Sequence, residues 1–270
     1  MTLIIDAHGQ NLQFDKPPER VISLIPSITE SLFELGLGDR IVGISKYCIY
    51  PEDGVRNKPK VGGQKNPDFD KITQLNPDLI ILNEEENKPE HIALFKKNYR
   101  TFVTFPRIFV EAGKLLDQLG LIFHIPDRAK VFSEQIRLDH SRLIALEPTR
   151  LRVLYLIWRN PWMSVNRDTF IHDILSLVGL DNVFANQSPR YFKVTREMIL
   201  NAQPDVIILP DEPYRFLKKH IADFDGLDIP AVKNCNIFLT DGTYYCWYGT
   251  RTARAIKYID QNIIHRIVTC

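Results

Sequence analysis

Short, continuous apolar runs recur along the chain, each bounded by Pro, Gly, Asn or Asp. Residues 21–25, 41–45, 79–82, 101–104, 153–157, 206–209 and 237–239 read this way. Strands that are apolar on both faces belong to parallel sheets covered on both sides. Between them the apolar period lengthens to that of helices. Ser27-Ile28-Thr29-Glu30 has the form of a capping box, with Ser27 at the N-cap. A helix over 109–119 is expected to stop at Gly120, and one over 169–178 to start from Asp168. The last helix is expected over 251–264, and a short hairpin around His8-Gly9. The longest helical pattern covers residues 127–147, with Asp127 as N-cap and Pro148 as its stop. Ala129, Phe132, Ile136, Leu143 and Leu146 form its apolar stripe.

The sequence on either side of that helix reads as two versions of one unit. Arg20-Val21-Ile22-Ser23-Leu24-Ile25 is answered by Arg152-Val153-Leu154-Tyr155-Leu156-Ile157. The helix end at Glu34-Leu35-Gly36-Leu37 is answered at Leu177-Val178-Gly179-Leu180. Asn76-Pro77-Asp78-Leu79-Ile80-Ile81-Leu82 is answered by Gln203-Pro204-Asp205-Val206-Ile207-Ile208-Leu209. Three matches in the same order indicate a duplication. The pattern therefore predicts an α/β fold of two Rossmann-like lobes with mainly parallel sheets, bridged by a single long α-helix. The lobes are expected at residues 1–126 and 148–270, with the linking helix at 127–147.

In parallel sheets ligands bind beyond the carboxyl ends of the strands. Two such sheets facing each other would enclose a cleft, lined by whatever follows each strand. In the first half these residues include Tyr47, Tyr50 and Gln64. In the second they include Trp158, Arg159, Trp162, Arg190, Tyr191, Tyr245 and Trp247. Aromatic faces beside arginines suit a large, flat, partly apolar ligand with anionic or amide groups. Single loop aromatics often do no more than cover a sheet end; clustering at several strand ends favours the cleft. A second symmetry is acidic: Asp70 precedes Pro77 by seven residues and Glu197 precedes Pro204 by seven. Acids there suit a helix N-terminus, and a matched pair also suits a two-fold partner.

Composition narrows the function. A net charge of +1 argues against bulk electrostatic binding to nucleic acid or anionic membrane. No apolar run has the length of a membrane span. Met1-Thr2-Leu3-Ile4-Ile5-Asp6 lacks the basic start and apolar core of a secretory leader. Cys48, Cys235, Cys246 and Cys270 have no metal-ligand spacing and are expected to be reduced thiols. The histidines form no H-x-x-x-H pair, so no metal site is expected. There is no G-x-S-x-G elbow, P-loop or G-x-G-x-x-G, so no catalytic residue is assigned.

Over nearly its whole length the chain resembles the substrate-binding proteins of ABC importers for cobalamin and ferric siderophores. The resemblance lies in residues 17–30, in Gly43-Ile44-Ser45-Lys46-Tyr47 through Tyr50-Pro51, in Val61-Gly62-Gly63, and in the paired Pro-Asp strands. It implies a non-catalytic, monomeric receptor that captures a corrinoid, ferric siderophore or haem-like chelate, with no covalently bound cofactor. It also implies that Asp70 and Glu197 dock onto a two-fold ABC permease. Gln64-Lys65 stands where cobalamin binders of the family carry an aromatic residue. Location follows the true start: periplasmic or cell-surface if a leader was removed, cytoplasmic if Met1 is the start. A cytoplasmic enzyme or metallocofactor-handling protein on the same fold is the alternative.

Overall fold

A computed structural model describes residues 4–146 and 149–267. Its backbone falls into two units. The first holds the chain up to Pro106, then Val110–Ile136 and Tyr248–Ala253. The second holds Arg107–Phe109, Arg137–Trp247 and the chain from Arg254 on.

The first unit is built on a four-stranded parallel sheet. Its spatial order is Ile41–Ile44, Val21–Ser23, Leu79–Asn83, Thr101–Thr104. Ile22, Ile80, Ile81 and Leu82 are fully buried and Phe102 nearly so, as strands covered on both faces require. The expected N-terminal hairpin is present as Ile4–Ile5 paired antiparallel with Asn11–Leu12.

The second unit repeats the plan. Its parallel sheet runs Leu180–Asn182, Leu151–Tyr155, Val206–Pro210, Ile237–Thr240. In both sheets the order is second, first, third, fourth. The direction of winding therefore reverses between the first and third strands of each, where α/β sheets open a crevice. A separate antiparallel pair, Met163–Val165 with Tyr191–Lys193, flanks the second sheet.

The duplicated Pro-Asp junction has a physical meaning in each unit. In the first, the Asp78 carboxylate accepts from the N–H groups of Glu19 and Arg20 at 2.7 and 3.0 Å. The Arg20 guanidinium returns to the Leu75 carbonyl at 2.6 Å. In the second, Asp205 accepts from the Arg152 N–H at 2.8 Å, and Arg152 donates to the Ala202 carbonyl at 2.6 Å. Asn76 and Gln203, which turn the chain out of each helix, both have φ of +43°. Each junction thus pins the start of the third strand against the start of the first.

Several element boundaries differ from the sequence expectation. The first helix starts at Pro26, with Ile25 as its N-cap and no side-chain cap. Proline needs no N–H partner at a helix start, so it displaces Ser27 from that role. Ser27 Oγ is buried without a hydrogen bond, and Glu30 is drawn into an ion pair with Arg251. The helix Phe109–Ile122 runs through Gly120, whose missing side chain makes room for Ala129 rather than ending the helix. Thr169, not Asp168, caps Phe170–Leu177 by accepting from the His172 N–H. The last helix is Thr252–Asn262. The long helix is Pro126–Ile144, again opened by proline, with Asp127 inside its first turn. Its buried stripe is Ala129, Ser133 and Ile136, and Leu146 lies beyond it, 53% exposed. Ser133 reaches the buried side because its hydroxyl donates to Asp117 at 2.6 Å. The expected helix end at Glu147 and stop at Pro148 lie outside the described residues, as does Cys270.

Candidate functional site

In the first unit the residues after the second and third strands converge. Gly62–Gly63 pairs with Asn66–Pro67, which leaves Gln64 and Lys65 at the tip of a two-residue hairpin. Gly62 has φ of +85° and lies against the Asn66 carbonyl and Asp68 N–H, so no side chain fits there. The hairpin is held to the sheet by Lys46 N–H donating to the Gly62 carbonyl at 2.8 Å. Beyond the third strand, the Asn83 side-chain carbonyl accepts from the N–H groups of Glu85 and Glu86 at 2.9 and 3.1 Å. Asn87 closes the same turn, donating to the Gln64 carbonyl at 2.9 Å. Glu86 is thereby delivered to Gln64, whose amide donates to its carboxylate at 3.2 Å.

These residues border a cavity of about 260 Å³ lined by Lys46, Tyr47, Gln64, Lys65 and Glu86. The Lys46 ammonium stands 5.0 Å from the centre of the Tyr47 ring. Tyr47 and Tyr50 are 52% and 38% exposed, which is high for aromatic side chains. The other oxygen of Glu86 accepts from the Tyr248 hydroxyl at 3.1 Å. Burial, followed by the Glu86 charge, pushes the Tyr248 phenol well above its usual range, so Tyr248 remains a neutral donor.

In the second unit, Trp158 follows the first strand and Tyr214 the third, bracketing the point where winding reverses. Their rings meet edge to face at 5.3 Å, and Trp158 keeps 43% of its surface exposed. Arg159 is held by Asp223 through two bonds of 2.6 and 3.0 Å. That pairing holds the Asp223 carboxyl below its ordinary range. Arg159 thus offers a ligand its remaining N–H groups rather than an unbalanced charge. The Arg190 guanidinium lies 5.6 Å from the centre of the Tyr191 ring, and Tyr191 is 40% exposed.

Three sequence-chosen residues are placed differently. Tyr245 is fully buried, with its ring 5.2 Å from Tyr155, and belongs to the interior. Trp162 stacks on Phe224 at 5.2 Å, nearly parallel, and packs on the core of the second unit. Trp247 is only 6% exposed. The rule that residues after a strand face a ligand fails here because each follows its strand at a distance and returns to cover apolar surface. The sequence reading passed over Lys46, Lys65, Glu86, Tyr214 and Tyr248. Lys46 and Lys65 adjoin Tyr47 and Gln64, Glu86 and Tyr214 each follow the third strand of a sheet, and Tyr248 adjoins Trp247. Asp70 and Glu197 are both exposed, each in the first turn of a short helix capped by Asp68 or Thr195.

The periplasmic binding protein family matches residues 21–244. A vitamin B12-binding protein of Vibrio parahaemolyticus is 24% identical, over 91% of this chain and 88% of its own. An uncharacterized ABC transporter substrate-binding lipoprotein of Bacillus subtilis, YvrC, is 25% identical, over 96% of this chain and 84% of its own. Among solved structures, the periplasmic heme-binding protein RhuT of Roseiflexus sp. RS-1 superposes with a TM-score of 0.77 and 25% identity. That match covers 88% of this chain and 95% of the other. By the extent of the family match, this chain belongs to the periplasmic binding protein family.

Proposed function

We propose that this protein is the substrate-binding receptor of an ABC importer and that its cargo is a metal chelate with a broad apolar face. Corrinoids, ferric siderophores and haem-like macrocycles share that chemistry. The observation that carries the reading is the exposure of Tyr47, Tyr50 and Trp158, between 38% and 52%, beyond strands of two duplicated sheets, with Tyr191 of the flanking antiparallel pair 40% exposed. Aromatic surface left in solvent at sheet ends has no role in either core. In each unit exposed ring faces suit a flat ligand, with Gln64 in the first unit and Arg159 and Arg190 in the second as nearby polar groups. The names of the relatives, vitamin B12-binding and heme-binding, support the same class.

The receptor works outside the cytoplasmic membrane, as periplasmic binding proteins do, and no described helix is long and apolar enough to cross a membrane. Asp70 and Glu197 are the docking acids for the permease. The deciding experiment is a tryptophan-quenching titration with cyanocobalamin, cobinamide, haemin and several ferric siderophores. One class is expected to saturate the protein at micromolar concentration or below, and Trp158→Ala to weaken that binding about ten-fold or more. No saturation by any of them, or an unchanged affinity in both Trp158→Ala and Arg190→Ala, overturns the reading.

A further inference from the structure

The segment Tyr248–Ala253 comes from the far end of the chain yet belongs to the first unit. It lies on the helix Pro26–Glu34. Arg251 grips Glu30 with two hydrogen bonds, 2.8 Å from Nε and 2.5 Å from Nη2. Both side chains are almost inaccessible, 9% and 6% exposed. The Thr250 N–H donates to Ser31 Oγ at 3.1 Å. Gly249, with φ of +118°, faces the Ser31 hydroxyl so closely that any side chain there would collide with it.

Two residues of this strap touch the candidate ligand-binding face. The Arg251 guanidinium stands 5.0 Å from the centre of the Tyr50 ring. Tyr248 donates to Glu86, which in turn accepts from Gln64. Tyr50 keeps 38% of its surface exposed, so each contact behind its ring narrows the rotamers it samples. A cation clamped behind one ring face favours a single orientation. A hairpin-tip glutamine is likewise fixed when the carboxylate it holds is fixed from its other side.

We propose that Arg251 and Tyr248 are positioning residues for the ligand: Arg251 sets the Tyr50 ring, and Tyr248, through Glu86, sets the Gln64 amide. The inference rests on the reading of this face as ligand-binding. Neither residue needs to touch the cargo. Each spares the cargo the cost of ordering the side chain it holds, and that cost is a factor of about three to ten in affinity per side chain.

The test uses the full chain and whichever of cyanocobalamin, haemin and ferrichrome binds most tightly. Arg251→Lys keeps the charge but loses the planar two-pronged grip; Tyr248→Phe removes one hydroxyl. Each is expected to weaken binding about three- to ten-fold. In a Tyr50→Ala background Arg251→Lys is expected to weaken it no further, because the residue it acts through is gone. Tyr248→Phe should likewise be silent in a Gln64→Ala background, a pair that decides the matter if Arg251→Lys does not fold. Losses that simply add in either double variant overturn the positioning role while leaving the receptor reading intact. So does a strap variant that binds like the parent while Tyr50→Ala weakens. If Tyr50→Ala and Trp158→Ala both bind like the parent, both the inference and the reading it rests on fall.

Discussion

Cys48 and His172 show what burial does to single groups. Cys48 is 2% exposed and sits 3.1 Å from the Thr29 hydroxyl. Burial pushes its thiol up to about 12, so the reactive thiolate is scarce at neutral pH. Cys235 is exposed. A thiol reagent at pH 8 should label Cys235 within minutes and Cys48 only once denaturant unfolds the protein, as mass spectrometry of labelled peptides would show. Rapid native labelling of Cys48 would contradict its placement. His172 is half-buried and its Nδ1 has no hydrogen-bond partner. Burial lowers its pKa below the ordinary 6.5. The folded state therefore binds the proton less well than the unfolded chain does. The stability His172 supports is complete above about pH 6.5 and is lost as pH falls toward the lowered folded value. His172→Gln is expected to flatten the denaturation midpoint between pH 7 and pH 5; an unchanged slope would assign the acid sensitivity to other groups.

The Pro-Asp junctions are the best place to weigh an element. Asp78 accepts two backbone N–H bonds and Asp205 one. Bonds from backbone donors to a carboxylate contribute about 1.5–3 kcal/mol each when buried and less when exposed, as here. Asp78→Ala should therefore lower the urea midpoint more than Asp205→Ala does, each through the unit that holds it. Equal effects would mean that the second Asp78 bond contributes nothing. These junctions were also the most legible part of the sequence, because helix, proline, aspartate and apolar strand are all local signals. The two parallel sheets and the duplication were read from them, whereas the order of the strands within each sheet was not. Helix starts were less legible. Pro26 and Pro126 won the first helical position because they need no N–H partner, whereas side-chain capping rules favoured the Ser or Asp beside each. Side-chain exposure was legible close behind a strand. Tyr47 and Trp158 sit there and stay exposed, while Trp162 and Tyr245 pack against apolar neighbours, through tertiary contacts that local pattern does not show.

On the proposed reading, cargo capture and permease docking use different residues of the molecule. Asp70 and Glu197 are exposed at corresponding positions of the two units, each at the start of a capped helix. Charge pairs at the rim of a transient contact act mainly on encounter and orientation. Reversing both, Asp70→Lys with Glu197→Lys, is expected to abolish receptor-stimulated ATP hydrolysis by the reconstituted importer. Cargo affinity should stay within about two-fold, since neither residue lies among those assigned to the ligand. Intact stimulation by the double variant would remove these acids from the docking surface.

The docked strap bears on how the gene can be cut. Six residues near the carboxyl terminus, Tyr248–Ala253, complete the unit made mostly by the first half of the chain. A fragment ending at Ile144 would keep Glu30 but lose the guanidinium that neutralises it and the strap residues that pack on Ser31 beside it. Dissecting the protein into working halves therefore calls for a circular permutant that rejoins the old termini, or for the missing hexapeptide supplied in trans.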